Sequence, residues 1–214
     1  MNRIDLENTL PDVFRGQEDI SSEIWQKRVS FERDKNYLIE AASGVGKSSL
    51  CSFIFGHRFD YEGEMLFDKR NVKDFSSDIW DALRTKHICL LFQELRLFSE
   101  LTALENVQIK NNLTNHKTDQ EIKDMFALLN IEEKMNIRTD KLSWGQRQRV
   151  AVIRALCQPF DFLFLDEPIS HLDDVNAKHV AELVEAERSR QGATVVVTSI
   201  GKHLPLNYDM KFAL

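Results

Sequence analysis

The sequence predicts an α/β core interrupted by a helical stretch, and three observations predict it. Strand-like and helix-like segments alternate through most of the 214 residues. The strand-like runs lie toward both ends, with a helical pattern between about 94 and 157. One run, "FDFLFLD" (160–166), is apolar at almost every position, which marks a strand covered on both faces.

Taken in order, "NYLIE" (36–40) is a short apolar strand. A Gly-containing loop follows, then a helix through "KSSLCSFIF" that Gly56 stops. "EMLF" (64–67) reads as a strand, "DKRN" as a polar turn, "SSDIWDALR" as a short helix and "HICLLF" (87–92) as a buried strand. Beyond Gln93 come "LTALENVQIK" and "TDQEIKDMFALL", the latter opened by a Thr118–Glu121 capping box. Ser143 and Gln146 form a second box, so a helix starts at Trp144. Helix 174–191 stops at Gly192, "ATVVVTS" (193–199) is a buried strand, and "YDMKFAL" closes the chain as a short strand or edge.

Composition narrows the function classes. With 43% hydrophobic and 29% charged residues the chain is an ordinary globular one, long enough for a single large domain over 1–214. Cys51, Cys89 and Cys157 show no paired spacing and sit among apolar neighbours, which suits reduced thiols in a cytoplasmic protein. The start, "MNRIDLENTLPDVF", is acidic and polar and is not a secretory signal. No apolar run approaches the roughly 20 residues that cross a bilayer, so a membrane role would come through a partner. A net charge of −6 with scattered Lys and Arg argues against nucleic acid as a partner.

The chemistry concentrates in two places. "AASGVGKSS" (41–49) lies between a strand and a helix, where Ser43, Gly44, Val45 and Gly46 turn backbone N–H groups inward as an anion nest. The helix dipole adds to it. Lys47 brings a point charge to the β- and γ-phosphates, and Ser48, followed by Ser49, offers a hydroxyl to Mg²⁺. The usual pattern has Gly at position 41, and Ala41 is tolerated there if its φ is negative. "FLFLDEP" sets Asp166 at the end of a buried strand, where it would hold Mg²⁺ opposite Ser48. Glu167 beside it can polarise a water that attacks the γ-phosphate. These are the parts of a P-loop nucleotide hydrolase.

The order "SGVGKSS", "LLFQE", "LSWGQRQRVAVIRAL", "FLFLDEP", "SHLD" resembles that of the ATP-binding-cassette (ABC) ATPases, from about residue 4 onward. "LFSELTALENV" is most similar to the subunits of lipoprotein-release, macrolide-export and cell-division systems. The resemblance implies a mixed-sheet ATPase core (1–93 and 158–214) with an inserted helical subdomain (94–157). It implies two subunits packed head to tail, so that Leu142, Ser143, Gly145 and Gln146 of one close over the ATP held by the other's loop. In that arrangement Gly145 lets backbone approach a γ-phosphate. Gln93 matches the residue that touches Mg²⁺, and Asp173 the one that links the two sites. Phe14 lies where a ring stacks on adenine, or else belongs to the core.

Trp144 stands where the family has Gly, and its side chain is expected to point away from phosphate. Ser199 stands where the family places a His that contacts the γ-phosphate, and His203 compensates only if its loop folds back. The resemblance therefore implies an ATP- and Mg²⁺-dependent ATPase, peripheral on the inner membrane face, and Ser199 in place of His leads us to expect slow hydrolysis. Its expected partners are a second cassette, identical or not, and a separate integral-membrane permease that it drives or gates. The competing expectation is a hydrolysis-impaired clamp or scaffold. Ending at "YDMKFAL", the chain reads as a minimal cassette.

Overall fold

The fold is described from a computed structural model, which covers residues 1–17, 20–42 and 44–214. Four strands make an antiparallel sheet: β1 (Arg3–Pro11), β2 (Arg28–Glu32), β4 (Tyr61–Phe67) and the two-residue β5 (Arg70–Asn71), in the order β2-β1-β4-β5. Five make a parallel sheet: β3 (Asn36–Glu40), β6 (Ile88–Leu91), β7 (Phe162–Asp166), β8 (Thr194–Ser199) and β9 (Met210–Ala213), in the order β6-β7-β8-β3-β9. The helices are α1 (Lys47–Ile54), α2 (Ser77–Lys86), α3 (Ala103–Asn111), α4 (Asp119–Leu128), α5 (Trp144–Leu156) and α6 (Asp174–Gln191).

The run "FDFLFLD" is explained by what covers it. Phe162 and Phe164 of β7 join an apolar cluster with α1, α2 and the antiparallel sheet. Leu163 and Leu165, pointing the other way, join a second cluster with Val107 of α3, Phe126 of α4, Ile153 of α5 and Val184 of α6. Both faces of the strand are buried, so alternation gives no benefit and every position is apolar. The interior of the 94–157 stretch is thus continuous with one face of the parallel sheet.

The helix starts follow the capping chemistry. Thr102, Thr118 and Ser143 each accept from the backbone N–H three residues on, while Glu105, Glu121 and Gln146 return the bond. At the other end of α6, Gly192 takes a left-handed φ of 56°.

Two elements depart from expectation. The N-terminal antiparallel pair β1–β2 carries no reading in the sequence, yet Ile4 and Leu6 of β1 are fully buried. The "DKRN" turn is a turn at Asp68 and Lys69, both with positive φ, but Arg70 and Asn71 extend it into β5. Among the described residues, no helix is long and apolar enough to cross a membrane.

What positions the site is register. Leu91 pairs with Leu165, Asp166 with Thr198 and Glu40 with Ser199, so β6, β7, β8 and β3 end level with one another. Ligands of open parallel sheets bind outside such carboxyl ends.

Candidate nucleotide site

The loop after β3 is held from beneath by two aromatic rings. Gly46 caps α1 with φ 102°. A Cβ there would stand 3.1 Å from both Phe14 Cε2 and Trp25 Cζ2. Trp25 in turn donates through Nε1 to the Val45 carbonyl at 3.0 Å. Gly44 also has a positive φ, 85°, and Ser43 lies outside the described residues. Ala41 has a negative φ, as its tolerance required, and its N–H donates to Ser199 O. Phe14, Trp25, Gly44 and Val45 line a cavity of about 290 Å³ with Gln17 and Ile20. A larger cavity, about 680 Å³, opens at the opposite end of β3 beside Asn36, Glu185 and Asp209.

Lys47 is buried at the start of α1. Its Nζ donates to Ala42 O at 3.0 Å and stands 3.6 Å from Glu167 Oε1. Ser48 Oγ donates to Asp166 Oδ2 at 2.9 Å, and Thr198 Oγ1 donates to Asp166 Oδ1 at 2.6 Å. Asp166 is therefore aimed across the loop by two hydroxyls. Burial, reinforced by the Asp166 carboxylate, pushes the Cys51 thiol well up, so it stays protonated beneath the loop. Ser49 accepts a bond from Arg58, 3.3 Å away.

Glu167 holds φ at 50°, with its N–H donating to Thr198 O. Gln93 is exposed two residues past the end of β6, whose last residue, Leu91, pairs with Leu165, the residue before Asp166. Ser199 is buried at the tip of β8, and its hydroxyl donates to Lys202 O at 2.5 Å. The loop does fold back: His203 Nδ1 stands 3.2 Å from Ser199 Oγ, and its Nε2 2.9 Å from Glu40 Oε1.

The Ser143 turn forms a separate group. Ser143 Oγ accepts from Gln146 N–H, and Ser143 N–H donates to Gln146 Oε1. Leu142 is packed into the core, so it anchors the turn. Trp144 is exposed and its ring tilts against His171, 5.3 Å between centroids. Gly145 has an intrachain neighbour, since a Cβ there would stand 3.1 Å from His171 O. Asp173 caps α6 by accepting from the Asn176 N–H, a bond that lowers its pKa. Asn176 Oδ1 then takes a bond from Arg149 of α5. No hydrogen bond or ion pair among the described residues joins Ser143, Gly145 or Gln146 to the Lys47 loop.

Sequence reading missed Trp25 and Gln148. "SSEIWQK" has no periodic pattern that would mark Trp25 as a support for the loop. Gln148 hides inside an amphipathic helix.

The family model described as "ABC transporter" matches residues 26–170. The chain belongs to the ABC transporter family. The cassette is 33% identical over 181 residues to the lipoprotein-releasing system ATP-binding protein LolD of Buchnera aphidicola, covering 81% of this chain and 79% of that one. It is 32% identical over 166 residues to the macrolide export ATP-binding/permease protein MacB of Haemophilus ducreyi, covering 74% of this chain and 23% of that one. The cassette spans about half the length, 51%, of an uncharacterised ABC transporter ATP-binding protein of Mycobacterium tuberculosis. Its fold superposes on that of the ATP-binding cassette MJ0796, solved as a post-hydrolysis dimer bound to ADP and phosphate. The TM-score is 0.75 at 26% identity, covering 92% of this chain and 87% of that one.

Proposed function

We propose that this ABC cassette binds ATP on the Lys47 loop, closes on a second cassette around it, and hydrolyses it slowly. The observation that carries the reading is the gathering of Lys47, Ser48, Asp166 and Glu167 at the level ends of β3, β7 and β8. ATP is held by the N–H groups of the Gly44–Ser49 turn and by Lys47, with the base in the cavity beside Phe14 and Trp25. Ser48 and Asp166 fit Mg²⁺, being hard oxygen donors 2.9 Å apart, and Gln93, just past the end of the neighbouring strand β6, would add a third oxygen. Bound there, Mg²⁺ would supply charge neutralisation to the phosphates. Glu167 orients and polarises the attacking water.

The Ser143 turn is a capped helix start with Ser143 and Trp144 exposed, which suits an anion presented by a second copy. Dimeric cassette structures among its neighbours support this arrangement. In it, Ser143, Gly145, Gln146 and Asp173 face the partner's nucleotide, while 94–157 acts as the lobe that moves against 1–93 and 158–214. The kinship with an ATP-binding/permease protein and with the ATP-binding protein of a lipoprotein-releasing system supports an integral-membrane partner; in this reading that partner is a separate chain and the cassette sits at the inner face of the cell membrane.

Slow hydrolysis rests on position 199. The Ser199 hydroxyl is already engaged by Lys202 O, and His203 Nε2 by Glu40. Neither is free to donate to a phosphate. One missing transition-state contact costs roughly 3 kcal/mol, about a hundredfold in rate.

Two measurements test the reading. Glu167→Gln with Mg-ATP is expected to run as a dimer in light scattering, and Lys47→Ala as a monomer; a strictly monomeric Glu167→Gln would refute the sandwich. Steady-state turnover should rise in Ser199→His, and wild-type turnover of about ten per second or more would remove the case for slow hydrolysis.

A further inference from the structure

Gln148 is 2% exposed, and its amide is committed entirely to the loop that follows β7. Nε2 donates to Glu167 O at 3.1 Å and stands 3.5 Å from Ser170 Oγ. Oε1 accepts from the His171 N–H at 3.4 Å. Nothing in the proposed chemistry uses this residue.

Its partner is a strained one. Glu167 sits at φ 50°, where an L-residue with a Cβ is strained and persists only if its surroundings hold it there. The surroundings amount to four contacts. The Glu167 N–H is fixed by Thr198 O, the carboxylate faces Lys47 at 3.6 Å, and the carbonyl accepts from Gln148 Nε2 at 3.1 Å and, within its own loop, from the Ser170 N–H at 3.5 Å. Thr198 belongs to β8 and Lys47 opens α1. Gln148 alone reaches Glu167 from α5, the helix capped by Ser143.

We infer that Gln148 is a positioning residue for hydrolysis. It holds the Glu167 peptide in its left-handed conformation, so that the carboxylate stands where it can polarise water. The inference deepens the proposed ATPase reading and rests on it. It also gives α5 two ends of one lever: the turn that meets the partner's nucleotide and the amide that sets this chain's own carboxylate. A shift of α5 on closure therefore reaches the opposite site of the dimer through five residues of helix.

Two replacements test it in the purified full chain. Gln148→Glu keeps the length and removes the donor, and Gln148→Met keeps the length and removes both polar atoms. Turnover, KM and directly measured Mg-ATP affinity are compared, each also in a Glu167→Gln background. The expected result is a fall in kcat of about tenfold or more, with KM and affinity within about twofold. In the Glu167→Gln background the same replacement should cost nothing further, because it acts through the carboxylate already removed. The inference is overturned by an unchanged kcat, by an equal loss in both backgrounds, or by a rise in KM alone. It is also overturned if neither replacement folds, since Gln148 would then be a determinant of the fold. Wild-type turnover by Glu167→Gln alone would instead refute the ATPase reading, whereas a large loss there with none at Gln148 removes only the present inference.

Discussion

Replacing Gly46 with Ala tests whether the loop's shape is set by the rings beneath it. The new methyl meets two separate penalties. At φ 102° any L-residue is strained, by about 1–2 kcal/mol. The methyl would also sit 3.1 Å from Phe14 Cε2 and Trp25 Cζ2, and 3.3 Å from Trp25 Nε1, so both rings must yield by a few tenths of an ångström. Trp25 cannot yield freely, because its Nε1 is bonded to Val45 O within the same loop, and distorting that bond forfeits about 1 kcal/mol. The sum is about 2–3 kcal/mol. It falls on the loop rather than the whole fold, since letting residues 44–46 move costs less than unpacking α1. Mg-ATP affinity should therefore drop by roughly 30- to 150-fold. Gly44→Ala is the control: its φ is 85°, but nothing lies within 4 Å of a Cβ, so only the backbone strain applies. Isothermal titration calorimetry on both variants measures the difference. If Gly46→Ala binds within about twofold of wild type, or no worse than Gly44→Ala, the rings do not shape the loop.

Two further outcomes follow from burial. All three thiols should resist a water-soluble disulfide reagent in the folded protein at pH 8 and react fully once it is unfolded. Burial pushes Cys89 to about 11 and Cys157 to about 12, with Cys51 also raised, so little thiolate is present; fast labelling of the native chain would contradict this. Lys117 is buried in an ion pair with Glu187 that joins the start of α4 to α6. Lys117→Met should cost about 3 kcal/mol and lower Tm by roughly 6–12 °C, held to the low end of the usual range because Arg190 still reaches Glu187 at 2.9 Å. Adding Glu187→Leu should recover most of the loss, and a melt unchanged by the first substitution would show that the pair is not structural.

Most of the parallel sheet was legible because its residues obey a rule with one solution. A run such as "FLFLD" has no polar face, so it must be covered on both sides, and both apolar clusters meet at β7. The capped starts of α4 and α5 were equally legible, since a box of Thr or Ser with Glu or Gln three residues on is satisfied locally. The antiparallel sheet was not. β1 does alternate at Ile4 and Leu6, but Asn8 takes a φ of 52° and the register slips between Glu7 and Leu10, which breaks the period just where a reader would count it. Within the candidate site, the gathering of Lys47, Ser48, Asp166 and Glu167 was legible because the expected phosphate chemistry asks for those types at a helix start and a strand end that meet. Trp25 and Gln148 were not, because each acts through hydrogen bonds to backbone atoms about twenty residues away in sequence. Backbone acceptors leave no mark in the residue type of their partner.

Gly145 shows how two demands can fall on one position. A glycine in the first turn of α5 costs about 1 kcal/mol of helix stability, and close approach by a partner's phosphate is one reason to accept it. The fold supplies another, because the His171 carbonyl already occupies the place beside any Cβ. That carbonyl belongs to the loop that Gln148 fixes through the His171 N–H. A methyl at 145 would press on residue 171 before any nucleotide arrived, and the pressure would reach Glu167 through a loop only four residues long. Lost activity in a Gly145 variant is therefore no measure of phosphate approach by itself. The two causes part in a mixed dimer carrying the variant in one subunit: phosphate approach impairs the site whose Lys47 loop belongs to the other subunit, while pressure on the loop impairs the site containing the variant's own Glu167.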